Sequence, residues 1–417
     1  MKIFDVIIIG AGAAGLAAGK VCARASCSTL IIDRAERTGG VLDQCIHTGF
    51  GLRCFQEELS GPEFAWRLTS EARDAGVDFA LAATVTDIKK LPDGTFIIRT
   101  LSGKDGITDY HARAILLAAG CRERTRGAIA VPGGRPSGIF TAGAAQKLLN
   151  RNGLLPGKTA VIVGSGDIGL IMARRLRWCG IEVKAVVEIM PYTSGLTRNV
   201  VQCLHDFNIP LCLSTSVVQI NGRERVESIV AAPLNEHRRP EMEKAFKIDC
   251  DTVLFSVGLI PEMELARKLG VKENPATGGA IVDSMYSTSV PGVFSAGNML
   301  HVHDLADFAA EEAEYAAKCI IDYLVGVRSK AEYQVTTGKN LKYAVPNCCS
   351  PSAINTIRFL FRPTAVADHA VLRAKINDTV VWEKKLHYVR PAEMISAELK
   401  NVIVSGDILF ELDEVEK

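Results

Sequence analysis

The 417-residue sequence lacks the patterns that would assign it to a membrane, a nucleic acid or a secreted disulfide scaffold. It contains no apolar run of about 18 residues or more, so we expect no membrane-spanning helix. It has no long block of like charge, and its formal net charge of +1 argues against nucleic acid or an acidic membrane as the main partner. No cleavable apolar leader is recognisable, so we expect a cytoplasmic protein.

The cysteines lack the spacing of a redox or metal motif. Twelve are present, none forms C-x-x-C, and Cys348–Cys349 is the only adjacent pair. Zinc ribbons and iron–sulfur clusters use closely spaced cysteines that this sequence does not offer. We therefore expect reduced, mostly buried thiols and no metal site.

The N-terminal segment contains a buried strand, a glycine-rich turn, a helix and a second strand. In "VIIIGAGAAGLAAG" the turn carries Gly10, Gly12 and Gly15, and the following strand "STLIID" ends on Asp33. Such glycines let backbone N–H groups approach a pyrophosphate at the start of a helix, whose dipole favours negative charge. The acid can accept a hydrogen bond from a ribose hydroxyl, so this unit predicts a dinucleotide site.

The same unit occurs again in mid-chain. "AVIVGSGDIGLIMARRLRWCGIEVKAVVE" carries Gly164, Gly166 and Gly169, and its second strand is followed by Glu188. Two copies in full strand–turn–helix–strand context are a stronger signal than one. The segment "IMPYTSG" after Glu188 has no Arg or Lys to meet a 2′-phosphate, which favours NAD over NADP.

Later segments complete an α/β pattern with a different tail. Three predicted strands end on Gly120, Gly258 and Gly297. The last of them is followed by a long amphipathic helix, for which Asp304 suits the N-cap. From about residue 331, short alternating segments separated by turns predict a small antiparallel β domain. The sequence thus predicts two Rossmann-like domains, one in two parts (1–150 and 276–330) and one between them (151–275), plus a β-rich C-terminal domain (331–417).

These ordered motifs resemble those of the flavoproteins with two dinucleotide-binding domains related to pyridine nucleotide–disulfide oxidoreductases. The resemblance covers residues 1–330 and implies FAD in the N-terminal unit and NAD in the inserted one. The cofactor-binding residues that it implies are Gly10, Gly12, Ala14, Gly15, Asp33, Arg34, Gly40, Val85, Ala119, Gly120, Gly164, Gly166, Gly169, Glu188, Gly258, Gly297, Asn298 and Asp304.

The second FAD motif, "GVFSAGN", departs from the family pattern at its last residue. The family has Asp there, bound to the ribityl chain, whereas this sequence has Asn298, which can donate and accept but carries no charge. The helix after Asp304 would direct its N-terminus at the N1/O2 edge of the flavin and stabilise the reduced ring.

A single cysteine stands where disulfide reductases of the family carry C-x4-C beside the flavin. Gly39–Gly40 is followed by Cys45, and Cys54 falls outside the spacing, so the dithiol relay is absent. Three interpretations of Cys45 stay open: packing near the flavin, cycling through sulfenic acid with His47 lowering its pKa, or shaping the exit of electrons to a partner.

The segments "GGVLDQCIHTGFG" and "GNMLHVHDLADF" resemble, more closely, a subgroup found with FAD-dependent glycerol-3-phosphate dehydrogenases. This resemblance implies a partner dehydrogenase subunit, with any iron–sulfur cluster on another subunit, in an oligomer or hetero-complex. His301 and His303 precede the flavin-facing helix; His303 is a candidate proton donor, packed imidazoles are the alternative, and no third metal ligand is identifiable. The candidate catalytic residues are Cys45, His47 and His303.

Three functions follow as hypotheses. The first is an FAD-dependent NAD(H) oxidoreductase that exchanges electrons with a partner dehydrogenase of the glycerol-3-phosphate type. The second is a stand-alone NADH oxidase or peroxidase that uses Cys45. The third is a non-catalytic assembly subunit.

Overall fold

The computed structural model describes residues 3–328, 331–351, 356–400 and 402–415, and the chain divides into two compact units. Unit 1 contains Met1–Cys121 and Pro261–Lys417, and unit 2 contains Arg122–Ile260. The sequence placed the inserted domain at 151–275 instead. Unit 2 begins earlier because the strand Ile139–Thr141 pairs with Thr252–Phe255 in its central sheet.

The first part of unit 1 contains β1 (Ile3–Ile9), α1 (Ala13–Arg24), β2 (Thr29–Ile32), β3 (Thr48–Phe50), β4 (Leu59–Ser60), α2 (Gly61–Asp74), β5 (Asp78–Ala80), β6 (Ala83–Lys90), β7 (Phe96–Ser102) and β8 (Gly106–Leu117). The middle of the chain contains β9 (Cys121–Glu123), β10 (Ile139–Thr141), α3 (Ala142–Asn152), β11 (Thr159–Val163), α4 (Asp167–Trp178), β12 (Glu182–Val187), α5 (Thr197–Cys203), β13 (Leu211–Cys212), β14 (Thr215–Asn221), β15 (Ser228–Pro233), β16 (Phe246–Asp249), β17 (Thr252–Phe255) and β18 (Leu259–Pro261). The remainder contains α6 (Glu264–Lys268), β19 (Val293–Ser295), α7 (Ala306–Leu324), β20 (Tyr333–Thr337), β21 (Leu341–Val345), β22 (Cys348–Cys349), β23 (Ile357–Pro363), β24 (Ala367–Ile376), β25 (Thr379–Val389), β26 (Ile395–Leu399) and β27 (Ile408–Glu414).

Unit 1 is built on a seven-stranded mixed sheet in the order β5-β2-β1-β8-β7-β6, with β19 paired to β8. Strand β1 lies parallel to both β2 and β8, and Val6, Ile7 and Ile8 are fully buried. A strand covered on both faces requires a continuous β-branched run, and "VIII" supplies one. Helices α1 and α7 pack against each other, and the buried residues of α7 are mostly alanines.

Unit 2 has a five-stranded parallel sheet in the order β10-β17-β11-β12-β13 and a separate antiparallel sheet β14-β15-β16. Helix α4 follows β11 directly, and its buried face, with Leu170, Ala173 and Leu176, packs into the core beside β11 and β12. Both predicted Rossmann-like units are therefore present, and the predicted α/β fold class is confirmed.

The C-terminal region is β-rich, as predicted, and has its own apolar core. Its two sheets have the orders β22-β20-β27-β24-β25 and β21-β23-β26, and Phe359, Phe361 and Phe410 are in ring contact between them. The turn between β24 and β25 places Asn377 and Asp378 at positive φ, as expected for a tight hairpin. One pair, β20 with β27, is parallel and departs from the predicted antiparallel arrangement.

Among the described residues, no helix has both the length and the apolar character needed to cross a membrane.

Candidate functional site

The N-terminal glycine turn forms an open cradle at the carboxyl end of β1. Gly10 has a φ of +113°, and a Cβ there would lie 2.3 Å from the carbonyl oxygen of Ala118, so only glycine permits this contact with the end of β8. A Cβ on Gly12 would meet no atom within 4 Å. The backbone therefore has an exposed face at the start of α1, and this shape fits the pyrophosphate of a dinucleotide.

Other predicted FAD residues surround the same turn. A Cβ on Gly40 would lie 3.3 Å from Cα of Gly12, and one on Gly297 would lie 2.7 Å from Cβ of Ala14. Residues far apart in the sequence thus meet at one edge of the sheet, where ligands bind in open α/β folds.

Asp33 is fixed beside this cradle by backbone donors. The N–H groups of Ala11 and Ala35 donate to its two carboxylate oxygens at 2.7 and 2.8 Å. The backbone oxygen of Asp33 accepts from the N–H of Ala83 at the start of β6, the strand that also carries Val85. Arg34 is exposed.

The glycine turn of unit 2 repeats this geometry. Gly164 has a φ of +94°, and a Cβ there would lie 2.1 Å from the carbonyl oxygen of Ser256, at the end of β17. The N–H groups of Ser165 and Met190 donate to the two carboxylate oxygens of Glu188, both at 2.9 Å. Glu188 is therefore held in the same relation to its turn as Asp33, as the matching spacing predicted.

Two hydroxyls that the sequence analysis did not identify also contact Glu188. The side chains of Ser165 and Ser194 both donate to its Oε2, and the carboxylate is only 3% exposed. Ser194 belongs to the loop after β12, and that loop returns to the turn because the N–H of Leu196 donates to Asp167. Ser165 and Ser194 belong to no recognised sequence motif, so their contact with Glu188 could not be predicted.

The predicted strand-end glycines Gly120 and Gly258 lie where β9 pairs with β18. The carbonyl oxygen of Gly258 accepts from the N–H of Arg124 at 2.9 Å, and that of Gly120 accepts from the N–H of Glu262 at 3.0 Å. Ala119, the residue before Gly120, is exposed.

Two buried histidines contact the half-buried Asn298 and a buried acid from α7. The backbone N–H and the Nδ1 of His303 lie 3.0 and 3.3 Å from Oδ1 of Asn298. Nε2 of His301 lies 2.8 Å from Oε2 of Glu312, whose Oε1 accepts from the N–H of Gly297. Glu312 is thus a third residue that could bind a metal ion together with the two histidines. The sequence did not reveal it, because it lies inside the helix that follows the histidines.

The prediction that Asp304 caps the long helix is wrong. Helix α7 begins at Ala306, and its N-cap residue, Leu305, offers no side-chain hydrogen bond. Asp304 instead forms an ion pair with Arg362 at 2.6 Å and accepts from the N–H of Met394. A charged partner in a largely buried setting outweighs a neutral helix cap. The predicted cofactor contact of Asp304 stays a prediction.

The first turn of α7 uses another acid. Asp307 is buried, and its carboxylate accepts from the N–H groups of Gly51, Arg53 and Cys54 at 3.0 to 3.2 Å. Burial, reinforced by the charge of Asp307, raises the pKa of Cys54 to about 12. A thiol with this pKa is almost entirely protonated at neutral pH and is a poor nucleophile.

Cys45 is buried in this structure. The Cys45 thiol donates to the carbonyl oxygen of Val41 at 3.3 Å. A Cβ added to Gly61 would lie 2.8 Å from the Cβ of Cys45. Nδ1 of His47 lies 2.9 Å from the oxygen of Thr48, and the His47 ring packs on Phe50. All twelve cysteines are free thiols in the described structure.

Comparisons with known proteins agree with this architecture. Residues 4–313 match the family model for pyridine nucleotide-disulphide oxidoreductases. The hydrogen cyanide synthase component HcnB of Pseudomonas protegens is 26% identical over 70% of this chain and 65% of its own length. One of the opine oxidase subunits of Rhizobium meliloti is 27% identical over 72% of this chain and 67% of its own.

The similarity extends to a solved structure. Thioredoxin reductase of T. acidophilum superposes with a TM-score of 0.65 at 26% identity, covering 78% of this chain and all of that one. With the two cradles and their acids, this shows which family the sequence encodes. The chain belongs to the pyridine nucleotide-disulphide oxidoreductase family and is an FAD-dependent NAD(P)H oxidoreductase.

Proposed function

We propose that this chain passes hydride between NAD(H) and FAD and exchanges the electrons with a partner dehydrogenase subunit of the glycerol-3-phosphate type. The observation that carries this proposal is the contrast between two intact nucleotide cradles and a buried single Cys45. Without a dithiol, electrons on the flavin need another acceptor or donor.

The cofactors supply the redox chemistry, since hydride passes between the nicotinamide and the flavin ring. The chain supplies binding and orientation. The turns at Gly10–Gly15 and Gly164–Gly169 would offer backbone N–H groups to the pyrophosphates, and Asp33 and Glu188 would accept from the adenosine riboses. Asn298, which follows β19, would contribute to holding the FAD.

The proposed preference for NAD over NADP rests on Glu188. Its carboxylate is buried and held by Ser165 and Ser194, so it cannot turn away from an approaching 2′-phosphate. Like charges in a poorly solvated site repel strongly, whereas a free 2′-hydroxyl can donate to Oε1, which accepts only from Met190 among the hydrogen bonds described.

The relatives support the proposed partner. HcnB is named as a component of hydrogen cyanide synthase, and the protein from Rhizobium meliloti is named as a component of opine oxidase, so both are subunits of larger enzymes. A flavoprotein subunit that passed electrons to a partner subunit would not need its own thiol relay. We extend this arrangement to the present chain, whose partner would be a glycerol-3-phosphate dehydrogenase.

An anaerobic titration tests the hydride step. Adding NADH to the purified yellow protein should bleach the flavin absorbance. The kcat/KM for NADH should exceed that for NADPH by about tenfold or more. A flavin that NADH leaves oxidised, or a preference for NADPH, contradicts the proposal.

A second experiment tests the partner. Affinity purification of the tagged chain at native expression should recover a dehydrogenase. In the complex, oxidation of glycerol 3-phosphate should reduce the flavin. If the isolated chain consumes oxygen or peroxide rapidly with NADH, and Cys45→Ser abolishes this, the stand-alone oxidase or peroxidase is correct instead. A protein that holds no nucleotide but forms a stable complex supports the assembly role.

A further inference from the structure

The two nucleotide cradles of this chain differ in the residue at the strand end beside the glycine turn. In both, the first glycine of the turn packs against a neighbouring strand. A Cβ on Gly10 would lie 2.3 Å from the carbonyl oxygen of Ala118, and one on Gly164 would lie 2.1 Å from that of Ser256. Ala118 and Ser256 therefore occupy equivalent positions, and the cradle of unit 2 has a hydroxyl group where the cradle of unit 1 has a methyl group.

The Ser256 hydroxyl lies against the middle glycine of its turn. A Cβ added to Gly166 would lie 3.4 Å from Oγ of Ser256, whereas a Cβ added to Gly12 in unit 1 would meet no atom within 4 Å. The middle glycine of this motif is the residue at which the backbone approaches a pyrophosphate. Oγ of Ser256 thus borders the face that is expected to receive the diphosphate of the second coenzyme.

A backbone group orients this hydroxyl. The N–H of Gly169, in the first turn of α4, donates to Oγ of Ser256 at 3.1 Å. An amide N–H can only donate, so Oγ is the acceptor and the hydroxyl hydrogen points elsewhere. Among the residues that the structure describes, none accepts that hydrogen. Because Ser256 is half-buried, the hydrogen is available to a ligand in the cradle.

Ser256 extends the polar N-terminus of α4 towards the ligand. The N-cap residue, Gly166, has no side chain to accept from the first N–H groups of the helix, and Ser256 accepts from one of them instead. Linked hydrogen bonds polarise one another, and the positive end of a helix dipole favours an anion. A hydroxyl that accepts from the helix is therefore a better donor to a phosphate oxygen than an isolated hydroxyl.

The charged side chains around this strand end suit an anion. A Cβ on Gly258, two residues after Ser256, would lie 3.7 Å from Cδ and 3.9 Å from Nε of Arg124, so this side chain lies over the strand end. Arg124 is exposed and pairs with no acid among the described residues. Asp167, the acid in the first turn of α4, already accepts from the N–H of Leu196. An unpaired cation beside the cradle attracts a phosphate group.

We propose that Ser256 binds the diphosphate of the nicotinamide coenzyme through its hydroxyl group. The ligand class is an ADP-ribose or a dinucleotide that contains it, because the hydroxyl borders Gly166 whereas the adenosine ribose is expected at Glu188. Ala118 can make no such bond, so Ser256 distinguishes the cradle of unit 2 from that of unit 1. The inference rests on the proposed binding of NAD(H) to unit 2.

Two probes test this contact in the FAD-bound protein. ADP-ribose contains the diphosphate, whereas adenosine has the same base and ribose without a phosphate. Ser256→Ala should raise the dissociation constant for ADP-ribose about tenfold or more, because a hydrogen bond to a charged group is lost. The constant for adenosine should stay within about twofold of the wild-type value. Ligand-observed NMR titrations measure both constants.

A matched variant controls for the loss of a serine hydroxyl in unit 2. Ser228 lies on β15 in the separate antiparallel sheet, and its Oγ accepts from the side-chain amide of Asn221 at 3.2 Å. Ser228→Ala therefore also removes an acceptor of an N–H group, and it should leave both dissociation constants unchanged.

The kinetics of flavin reduction give a second readout. In anaerobic stopped-flow traces of Ser256→Ala, the NADH concentration that gives half the limiting rate should rise about tenfold. The limiting rate itself should stay within about twofold, because the diphosphate contact is the same before and during hydride transfer. A large fall in the limiting rate at an unchanged half-saturating concentration contradicts the proposed role.

The remaining outcomes are distinguishable. If Ser256→Ala weakens adenosine and ADP-ribose equally, Ser256 acts only by capping α4 and the phosphate contact is wrong. If the variant binds ADP-ribose as the wild type does, this inference fails while NAD(H) binding to unit 2 stands. If the wild-type chain binds neither ADP-ribose nor NADH, the proposed function fails together with the inference.

Discussion

At the scale of single residues, the acids that end the second strand of each Rossmann-like unit matter most. Asp33 and Glu188 each accept from the residue after the first glycine and from the residue two positions beyond the acid. Glu188 differs in being almost fully buried and in accepting from two serine hydroxyls. Its negative charge is therefore fixed in position, and the proposed coenzyme preference rests on this residue.

Glu188→Gln should narrow that preference. The substitution removes the negative charge and keeps the size, so the ratio of kcat/KM for NADH to that for NADPH should fall by about fivefold or more. Steady-state kinetics with both coenzymes measure the ratio. Glu182→Gln, an exposed acid on the same strand β12, is the control and should leave the ratio unchanged. An unchanged ratio in Glu188→Gln would contradict the role of this carboxylate.

Cys45 should be dispensable for flavin reduction. Its thiol bonds to Val41 and packs against Gly61, so Cys45→Ala should lower the free energy of unfolding by about 1 kcal/mol while NADH still bleaches the flavin. Chemical denaturation and an anaerobic stopped-flow trace measure the two effects. Loss of bleaching in a folded, FAD-bound variant would indicate that the thiol takes part in the chemistry.

At the scale of elements, the glycine turn before α1 combines two different constraints. Gly10 needs glycine because a Cβ would collide with Ala118, whereas Gly12 has an ordinary φ of −80° and open space around it. Conformation therefore does not require glycine at position 12. We expect the ligand to require it, because a side chain there would occupy the face predicted to receive the pyrophosphate.

Gly12→Ala should separate folding from FAD binding. The FAD-free variant should unfold at the same temperature as the FAD-free wild type, and its FAD dissociation constant should rise about tenfold or more. Calorimetry and flavin fluorescence measure the two quantities. Gly103→Ala is the matched control, because a Cβ there also meets nothing within 4 Å but lies in a surface turn between β7 and β8. Normal FAD binding by Gly12→Ala would place the pyrophosphate elsewhere.

At the scale of the whole molecule, the C-terminal β region is joined to the start of α7 by charged contacts within unit 1. Arg362 on β23 pairs with Asp304, and Arg358 on the same strand lies 3.4 Å from Glu311 of α7. The Arg362 pair is largely buried, with side chains 15% and 12% exposed. Removing one member of such a pair leaves a charge without compensation.

Arg362→Ala should therefore lower the free energy of unfolding by about 3 kcal/mol. Arg373→Ala breaks the more exposed pair with Asp413 and should cost about 1 kcal/mol or less. Urea denaturation followed by tryptophan fluorescence compares the two variants. Equal losses would show that burial does not set the strength of the Arg362 pair.

Sequence patterns could identify the nucleotide cradles because both depend on local order. A strand, a glycine turn, a helix and an acid at fixed spacing are contiguous, so Gly10, Asp33, Gly164 and Glu188 were predictable and lie in equivalent positions. The cap at Asp304 was not, because its real partner, Arg362, lies 58 residues away on another element.

By itself, the sequence determined the α/β class and the two Rossmann-like units, since periodicity and short-range spacing encode both. The resemblance of its ordered motifs to a known family indicated the family and the lack of that family's dithiol relay. Only the tertiary structure decided where unit 2 begins, which acid accompanies His301 and His303, and what holds Asp304. Those outcomes depend on burial and on pairings between distant residues, where the cost of an unpaired charge selects the partner. A linear pattern carries no record of that selection.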